Sequence, residues 1–448
     1  MTSLQLTESP IGADVARVFR SVDGQRGLPS WFALVFNAIA KIDYGALEWR
    51  LPDGRVFRAE GTLPGPQGRV IVHDGRLFAR ILRHGNLGFC EAYMDGWWSA
   101  APDLQDVMDV ILLNNEAVAR RMPGGMAMRL ANRFRHWLNS NSRSGAKRNI
   151  EAHYDLSNAF YQLWLDRSMT YSSALFESEG DGSQSAPQGA SQGAGQDAAA
   201  IAPLDGPTLE AGQEAKYRSI CDRMGLQPGD HVLEIGCGWG GFAEYAAGVR
   251  GARVTGLTLS PAQLEFAQAR MARRGLGDRV ELRLRDYRDE TGLYDGVASI
   301  EMFEAVGERY WPSYFSAVRD RLKPGGRASL QIITIDDRLF DTYRRRVDFI
   351  QKYVFPGGML PSMTALREQT DAAGLIWDGA VEFGPSYSRT LRAWRVSFGE
   401  AWNEVAALSG ARPFDARFKR LWDLYLASCA ACFRAGTTNV AQIALKRA

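Results

Sequence analysis

The chain has 448 residues, of which 46% are hydrophobic and 23% charged, and its formal net charge is +2. This length exceeds one ordinary domain and suffices for two hydrophobic cores, while the composition excludes a disordered chain. The nearly neutral charge argues against a surface that binds a polyanion along the whole protein. We therefore expect no nucleic-acid partner.

The N-terminus, MTSLQLTESP, lacks the basic start and apolar run of a secretory signal. The longest apolar stretch runs from Trp31 to Ala40, is interrupted by Asn37, and falls well short of the ~20 residues that cross a bilayer. We expect a cytoplasmic protein, which would meet a lipid substrate as a peripheral protein at the inner face of the membrane. The sequence leaves the oligomeric state open, a homodimer included.

The five cysteines suit a reducing compartment rather than a disulfide framework. Cys429 and Cys432 form a C-x-x-C pair, but no second Cys or His pair stands nearby to complete a zinc site. The apolar pattern from Leu424 to Phe433 predicts a buried helix. We therefore expect no metal site and assign both cysteines to the core.

Residues 1–119 predict a small α+β domain. A Pro-Asp-Gly turn at 52–54 separates two strand patterns, which predicts a hairpin. The predicted elements are strands 46–50, 56–59 and 68–72 and helices 77–83 and 104–113.

Two segments of biased composition follow this domain. Residues 120–150 form a basic connecting helix or linker, with eight Lys or Arg and no Asp or Glu between Arg120 and Arg148. This helix is either a solvated linker or an interfacial helix that inserts Phe134 and Trp137 among lipid headgroups. Residues 178–206 are rich in Gly, Ser, Gln and Ala without an apolar period, which predicts a flexible insertion.

Strand and helix patterns alternate in the remainder of the chain, residues 151–448. The predicted strands are 231–235, 253–257, 280–284, 296–300 and 327–333, and the predicted helices are 241–249 and 261–274. Such alternation predicts an α/β domain in which helices cover both faces of a parallel sheet.

A buried strand that feeds a glycine turn and a helix, VLEIGCGWGG at 232–241, predicts a cofactor site. Dinucleotide folds share such a turn, but they usually end the second strand with Asp or Glu. Here residues 256–260 read GLTLS, without a carboxylate. Glu234, the aromatic residue in RDYR at 285–288 and the KPGG loop at 323–326 instead predict a class I methyltransferase (Rossmann-like) domain that binds S-adenosylmethionine.

Over nearly its whole length, the chain resembles the cyclopropane fatty acid and mycolic acid synthase family. The segments that carry the resemblance are GFCEAYMDGWW (88–98), HYDLS (153–157), MTYS (169–172), GCGWG (236–240), MFEAVG (302–307), FPGG (355–358) and GPSY (384–387). The resemblance implies methyl transfer to the cis double bond of an unsaturated acyl chain. The N-terminal domain looks like that of the family members that modify intact phospholipids, which favours the interfacial alternative for residues 120–150.

The glycine motif and the resemblance together imply two sets of site residues. The expected cofactor-binding residues are Tyr171, Ser172, Glu234, Gly236, Cys237, Gly238, Gly240, Thr258, Gln263, Asp286 and Tyr287. The expected residues of the reaction centre are Tyr154, Ser173, Trp239, Phe303, Glu304 and Tyr387. For several of them packing is the alternative, since aromatic residues are common in cores and Cys237 suits a tight loop.

The reaction itself explains this choice of residue types. An alkene is a poor nucleophile, so the methyl group must be held in line with it in a dry cavity. Attack leaves a carbocation, which a desolvated aromatic face stabilises by roughly 1–2 kcal/mol. The resemblance further implies a bound bicarbonate ion as the base that removes a proton. Glu304 would support it, because a carboxylate in an apolar stretch is costly without a partner.

Two positions depart from the family pattern for holding bicarbonate. Residues 171–174 read YSSA, so Ser173 replaces a Cys, and residues 332–335 read IITI, so Ile333 replaces a His. Ser173 can still hydrogen-bond an anion, whereas Ile333 cannot. Three outcomes stay open: a cyclopropane ring, a methyl-branched unsaturated chain such as a furan fatty acid precursor, and an inactive lipid- or cofactor-binding homologue. Residues 336–374 form an insertion that either covers the acyl pocket or completes the core.

Overall fold

The computed structural model describes residues 18–119, 156–176, 206–409 and 413–448. Two sheets organise these residues, one of five strands and one of seven. The basic segment 120–150 and residues 178–205 of the predicted insertion lie outside the described residues, so both interpretations stay predictions.

The N-terminal domain consists of the mixed five-stranded sheet and the helices that cover it. The strands are β1 (Val18–Phe19), β2 (Tyr44–Arg50), β3 (Val56–Glu60), β4 (Leu63–Val72) and β5 (Trp98–Ala101), in the spatial order β1-β3-β2-β4-β5. The helices are α1 (Phe32–Ile39), α2 (Arg76–His84), α3 (Asn86–Met94), α4 (Leu104–Leu113) and α5 (Asn115–Ala119). Strands β2 and β3 are antiparallel neighbours, which confirms the predicted hairpin.

Helix α4 connects this sheet to the rest of the protein. It begins where the Asp103 carboxylate accepts a hydrogen bond from the backbone N–H of Gln105, an ordinary helix cap. The helix packs closely on β4 because Gly68 has no side chain; a Cβ atom there would lie 2.7 Å from the Cα atom of Val107. The opposite side of α4 is therefore available for the second domain.

The C-terminal domain is built on the seven-stranded sheet. Its strands are β6 (His231–Ile235), β7 (Arg253–Thr258), β8 (Val280–Leu284), β9 (Tyr294–Ile300), β10 (Leu322–Ile335), β11 (Leu375–Glu382) and β12 (Thr438–Arg447), in the order β11-β12-β10-β9-β6-β7-β8. Strand β12 runs antiparallel to both of its neighbours, whereas β8, β7, β6, β9 and β10 are parallel. This confirms the predicted α/β class and adds two strands, β11 and β12, which the sequence patterns did not predict.

Eleven helices of the described residues surround this sheet. They are α6 (Asn158–Gln162), α7 (Gly206–Met224), α8 (Gly241–Gly248), α9 (Pro261–Arg273), α10 (Trp311–Arg321), α11 (Asp337–Tyr343), α12 (Phe349–Tyr353), α13 (Met363–Ala372), α14 (Gly384–Glu400), α15 (Trp402–Ala407) and α16 (Ala416–Arg434). The start of helix α9 was predictable from the sequence because Ser260 caps it and Pro261 occupies its first position.

The two domains share one apolar core and an ion cluster at its edge. The carboxylate of Asp109 on α4, which is 1% exposed, accepts hydrogen bonds from Arg392 of α14 at 2.8 Å and from Arg434 of α16 at 2.5 Å. Gln105 donates to the same carboxylate and to the backbone carbonyl of Ala427. A charge buried this deeply is tolerated only when it is paired, so the cluster fixes how the domains meet.

Candidate active site

A cavity of about 180 Å³ lies at the carboxyl ends of β6, β7 and β9. Ligands bind at this edge in open α/β sheets. Ten of the eleven predicted cofactor residues line it: Tyr171, Ser172, Glu234, Gly236, Cys237, Gly238, Thr258, Gln263, Asp286 and Tyr287. Gly240 is outside the lining; it precedes α8 with φ 82° and packs against Ala267, so the structure gives it a packing role.

The loop after β6 has two properties that fit a bound cofactor. Gly236 and Gly238 have φ values of 86° and 50°, which favour glycine, and they leave the backbone open to close approach. The side chain of Glu234 is buried, and its Oε2 atom has no hydrogen-bond partner among the described residues. Burial raises the pKa of Glu234 to about 8. A buried, unpaired acceptor at such a loop suits the hydroxyl and ammonium donors of S-adenosylmethionine.

Two of these residues, Asp286 and Tyr287, and the predicted reaction-centre residue Trp239 lie around this cavity. The carboxylate of Asp286 is held by the guanidinium of Arg288, at 2.9 and 2.5 Å. The indole Nε1 of Trp239 donates to Asn158 at 2.8 Å. Trp239 and Tyr287 both line this cavity, and neither lines the larger cavity between the two domains.

A second, larger cavity of about 370 Å³ lies between the two domains. Its apolar lining comes from α4, β10, α11, α14 and α16 and from the loop after α12; it includes Leu112, Ile333, Leu339, Phe355, Leu391 and Phe433. Residues from the predicted insertion 336–374 contribute to this wall, so the insertion takes part in covering a cavity, the first of its two alternatives.

The prediction that both cysteines of the C-x-x-C pair belong to the core is wrong in part. Cys429 and Cys432 lie on the predicted helix, but both line the second cavity instead of packing wholly into the core. Burial raises the pKa of Cys432 to about 12, so the thiol stays protonated at neutral pH. Within the described ranges, no group of His, Cys, Asp or Glu could hold a metal ion.

The two cavities meet at a carboxylate. Tyr171, Glu301 and Ala305 line both of them. The Oε1 atom of Glu301 accepts hydrogen bonds from the backbone N–H of Ser173 at 2.8 Å and from the Gln331 amide at 2.7 Å. Its Oε2 atom accepts one from the Tyr387 hydroxyl at 2.6 Å. An anionic group is therefore held where a cofactor and a second ligand would touch.

A second carboxylate, Glu304, lines the larger cavity. Its Oε1 atom accepts the backbone N–H of Ile333 at 2.5 Å, and its buried Oε2 atom has no partner among the described residues. Burial, and next the charge of Glu301, raise the pKa of Glu304 to about 8. An unpaired acceptor in an apolar cavity is costly, which marks Glu304 as functional.

Lys216 on α7 is a buried cation whose charge acts on Glu301. Its ammonium is buried and donates to the Ser172 hydroxyl and to the Gln213 side chain, both at 2.6 Å. Burial lowers the pKa of Lys216 to about 7, while the negative charge of Glu301 opposes that shift. Lys216 therefore offsets part of the negative charge at the junction.

Sequence reasoning missed both Glu301 and Lys216. A signal existed for Glu301, because it directly follows the predicted strand 296–300, and the carboxyl ends of parallel strands form the site. No comparable signal marked Lys216, since α7 was not predicted beside the Gly- and Ser-rich segment.

Of the other predicted reaction-centre residues, some lie at the cavities and some do not. Tyr387 lies at the junction, through its bond to Glu301. The Ser173 hydroxyl instead donates to the carbonyl of Ala174, and Ser173 lines neither cavity. Phe303 is packed among Trp311, Tyr314 and Phe315 and also lines neither cavity. Tyr154 lies outside the described residues.

Bicarbonate does not fit this donor set. The backbone N–H of Ser173 and the Tyr387 hydroxyl already bind Glu301, and Ile333 offers only an apolar side chain. A further anion would also face the carboxylate of Glu301, and like charges at close range are unfavourable in a poorly solvated cavity.

Comparisons with known proteins agree with this geometry. The family model for mycolic acid cyclopropane synthetase matches residues 141–443. The tuberculostearic acid methyltransferase of Mycobacterium tuberculosis is 39% identical over 410 residues, which cover 88% of this chain and 87% of that protein. The cyclopropane-fatty-acyl-phospholipid synthase of Escherichia coli is 32% identical, over 89% of this chain and 96% of that one. The crystal structure of a mycolic acid cyclopropane synthase complexed with SAH and CTAB superimposes with a TM-score of 0.57 at 28% identity, covering 67% of this chain and 98% of that one.

Proposed function

Because the chain belongs to the mycolic acid cyclopropane synthetase family of S-adenosylmethionine-dependent methyltransferases, we propose that it methylates the double bond of unsaturated fatty acyl chains in membrane phospholipids. The observation that carries this proposal is the junction at Tyr171 and Glu301, where the cofactor cavity opens into the apolar cavity. Bound in the first cavity, S-adenosylmethionine supplies an electrophilic methyl group. The acyl chain occupies the second.

The second cavity offers what a cationic intermediate needs. Its apolar wall excludes water, so charged groups inside it act strongly. The hydroxyls of Tyr171 and Tyr425 share a hydrogen bond of 2.8 Å, which fixes both rings beside the cavity. Burial raises the pKa of Glu304 to about 8, so a cation that develops beside its open Oε2 atom favours loss of the Glu304 proton, and the resulting carboxylate stabilises that cation.

Phospholipid as the substrate is supported by the position of the N-terminal domain. Asn86, Leu112 and Asn115 from this domain line the second cavity, so the domain forms part of the acyl site. None of the described helices is long and apolar enough to cross a membrane. Trp31, which precedes α1, and Leu34 in the first turn of α1 are 58% and 44% exposed, which suits peripheral contact with the inner face of a membrane.

More specifically, we propose that the product is a methyl-branched fatty acyl chain. The relative with 39% identity is named for tuberculostearic acid, whereas the cyclopropane-forming relative from E. coli is 32% identical. Ile333 provides no imidazole at the position where the family pattern expects one. A cyclopropane ring is the alternative product, and an inactive homologue is the alternative function.

Labelling with methionine that carries a trideuterated methyl group tests the product. In a host without its own synthase, the membrane fatty acids are expected to gain one carbon that keeps three deuteriums, because the proton leaves a carbon of the acyl chain. Mass spectrometry of the fatty acid esters counts them.

Cells with the empty vector provide the control for this measurement. Two retained deuteriums mean that the proton left the transferred methyl group, as in a ring or an exocyclic methylene branch, so proton loss from a carbon of the acyl chain is wrong. Purified protein that binds S-adenosylmethionine while the fatty acids stay unlabelled would favour the inactive homologue.

A further inference from the structure

Glu301 occupies the position at which an external anion would be expected. Three donors surround its carboxylate: the backbone N–H of Ser173, the Gln331 amide and the Tyr387 hydroxyl. Donors from three separate parts of the chain thus converge on one carboxylate, and one of them belongs to Ser173, a position that the family resemblance assigns to bicarbonate binding. The carboxylate is covalently attached, so no binding step is needed to supply it.

The carboxylate also keeps an acceptor position for a proton. An ionised carboxylate offers about four lone-pair positions. The described residues use two on Oε1 and one on Oε2. Because Glu301 lines both cavities, the remaining position on Oε2 lies in the region where the methyl group and the acyl chain meet.

The backbone at Glu301 indicates that the side chain is needed there. Its φ is 51°, in the left-handed region that favours glycine. A residue with a side chain in this region costs roughly 1 kcal/mol or more, and such strain collects at functional sites. Two contacts hold it in place: its backbone N–H donates to the Gln331 carbonyl at 2.8 Å, and Gln331 in turn binds its carboxylate.

The charges around Glu301 suit a group that alternates between ionised and protonated forms. Burial raises its pKa, whereas the hydrogen bonds from Tyr387, Ser173 and Gln331 and the charge of Lys216 oppose that shift. The carboxylate is thus a stronger base than an exposed Glu, and it still has donors that stabilise its ionised form.

We propose that Glu301 is the catalytic base, in place of a bound bicarbonate ion. This inference rests on the proposed function. The new C–C bond forms between the transferred methyl carbon and one alkene carbon as the C–S bond breaks, and the sulfur keeps that electron pair. The cation on the other alkene carbon then loses a proton from the adjacent chain carbon to Oε2 of Glu301. The C–H electron pair becomes the new double bond, and Glu301 becomes a neutral carboxylic acid.

Glu301→Gln tests the base directly, since it preserves the shape and removes the basic oxygen. We expect turnover to fall by about 100-fold or more, the usual contribution of a general base, while the affinity for S-adenosylmethionine changes little. Glu308→Gln is the matched control: this carboxylate pairs with Arg344 on the surface and should leave turnover unchanged. Wild-type turnover should not change when bicarbonate is removed from the buffer.

Glu301→Gly adds a readout that a merely structural role would not give. Glycine relieves the backbone at φ 51° and leaves the donors of Ser173, Gln331 and Tyr387 around an open space. Bicarbonate or formate should therefore raise the melting temperature of this variant, but not of the wild type, without any cofactor. The same ions should restore at least about 10-fold of the lost turnover, as expected when a small base refills the site.

Three results would overturn the assignment of Glu301. They are full turnover in Glu301→Gln, a wild-type enzyme that needs bicarbonate, and a folded Glu301→Gly variant that neither ion stabilises or reactivates. Failure of the proposed function is distinguishable, because in that case the wild type itself labels no acyl chain, and the ion-dependent melting of Glu301→Gly still reports on the anion site.

Discussion

Glu304→Gln is expected to lower kcat for methyl transfer by about 100- to 1000-fold, the usual effect of removing one preorganised charge-stabilising group. The Oε2 atom of Glu304 lines the acyl cavity without a partner among the described residues, so the cationic intermediate favours ionisation of this carboxyl and is stabilised by the charge that results. Glutamine keeps the bond from the Ile333 backbone N–H but carries no charge. The binding of S-adenosylmethionine should persist, because Glu304 does not line the cofactor cavity.

The same substitution should increase stability at alkaline pH. Burial raises the pKa of Glu304 to about 8 from the ordinary value of 4.5, so its ionisation opposes folding. The wild type should therefore lose stability relative to Glu304→Gln as the pH rises from about 4.5 to about 8. Melting curves should show the largest difference above pH 8 and little difference below pH 4.5.

Glu308→Gln again provides the control, since it removes a carboxylate four residues away on the surface. A loss of turnover that is equal in both variants would mean that the effect is not specific to the cavity. A Glu304→Gln variant that is less stable than the wild type at pH 9 would contradict the assignment of a strained, unpaired carboxylate.

Asp109→Ala is expected to destabilise the protein by about 3–5 kcal/mol, because it leaves two guanidinium groups without their buried partner. Asp109 is the acceptor for both Arg392 and Arg434, and its side chain is fully enclosed between the two domains. The midpoint of urea unfolding should fall accordingly. Activity should fall with it at elevated temperature, since the second cavity is lined by both domains.

Arg417→Ala is the matched control for this interface. Arg417 pairs with Asp95 across the same two domains, but it is 47% exposed. An exposed pair contributes about 0–1 kcal/mol, so this variant should melt close to the wild type. Equal losses in the two variants would contradict the view that the buried cluster fixes the domain contact.

The central part of the C-terminal fold could be predicted because its local signals agree. The strand 231–235 and the strand 280–284 have the predicted bounds: the first is a mainly buried run that ends at a glycine, and the second alternates apolar and charged residues before a polar turn. Strands β11 and β12 could not be predicted in the same way. Strand β12 pairs with both β11 and β10 across long stretches of chain, and nothing local specifies that pairing.

The candidate site was predictable in part for a related reason. The glycine loop requires positive φ values at Gly236 and Gly238, and this local requirement is visible in the sequence as a glycine motif. The network around Glu301 instead joins Ser173, Gln331 and Tyr387, which are far apart in the sequence. Glu304 was predicted because it interrupts an apolar stretch, but the sequence does not indicate that the donors surround Glu301 instead.

Transfer of a labelled methyl group to defined vesicles tests the central claim most directly. Purified protein would be incubated with methyl-labelled S-adenosylmethionine and with vesicles of either unsaturated or saturated phosphatidylglycerol, and the label would be followed into the released fatty acids. The account predicts label in the acyl chains of the unsaturated vesicles alone. Label in the headgroup fraction or in the saturated chains, or none on any lipid from protein that binds the cofactor, would contradict it.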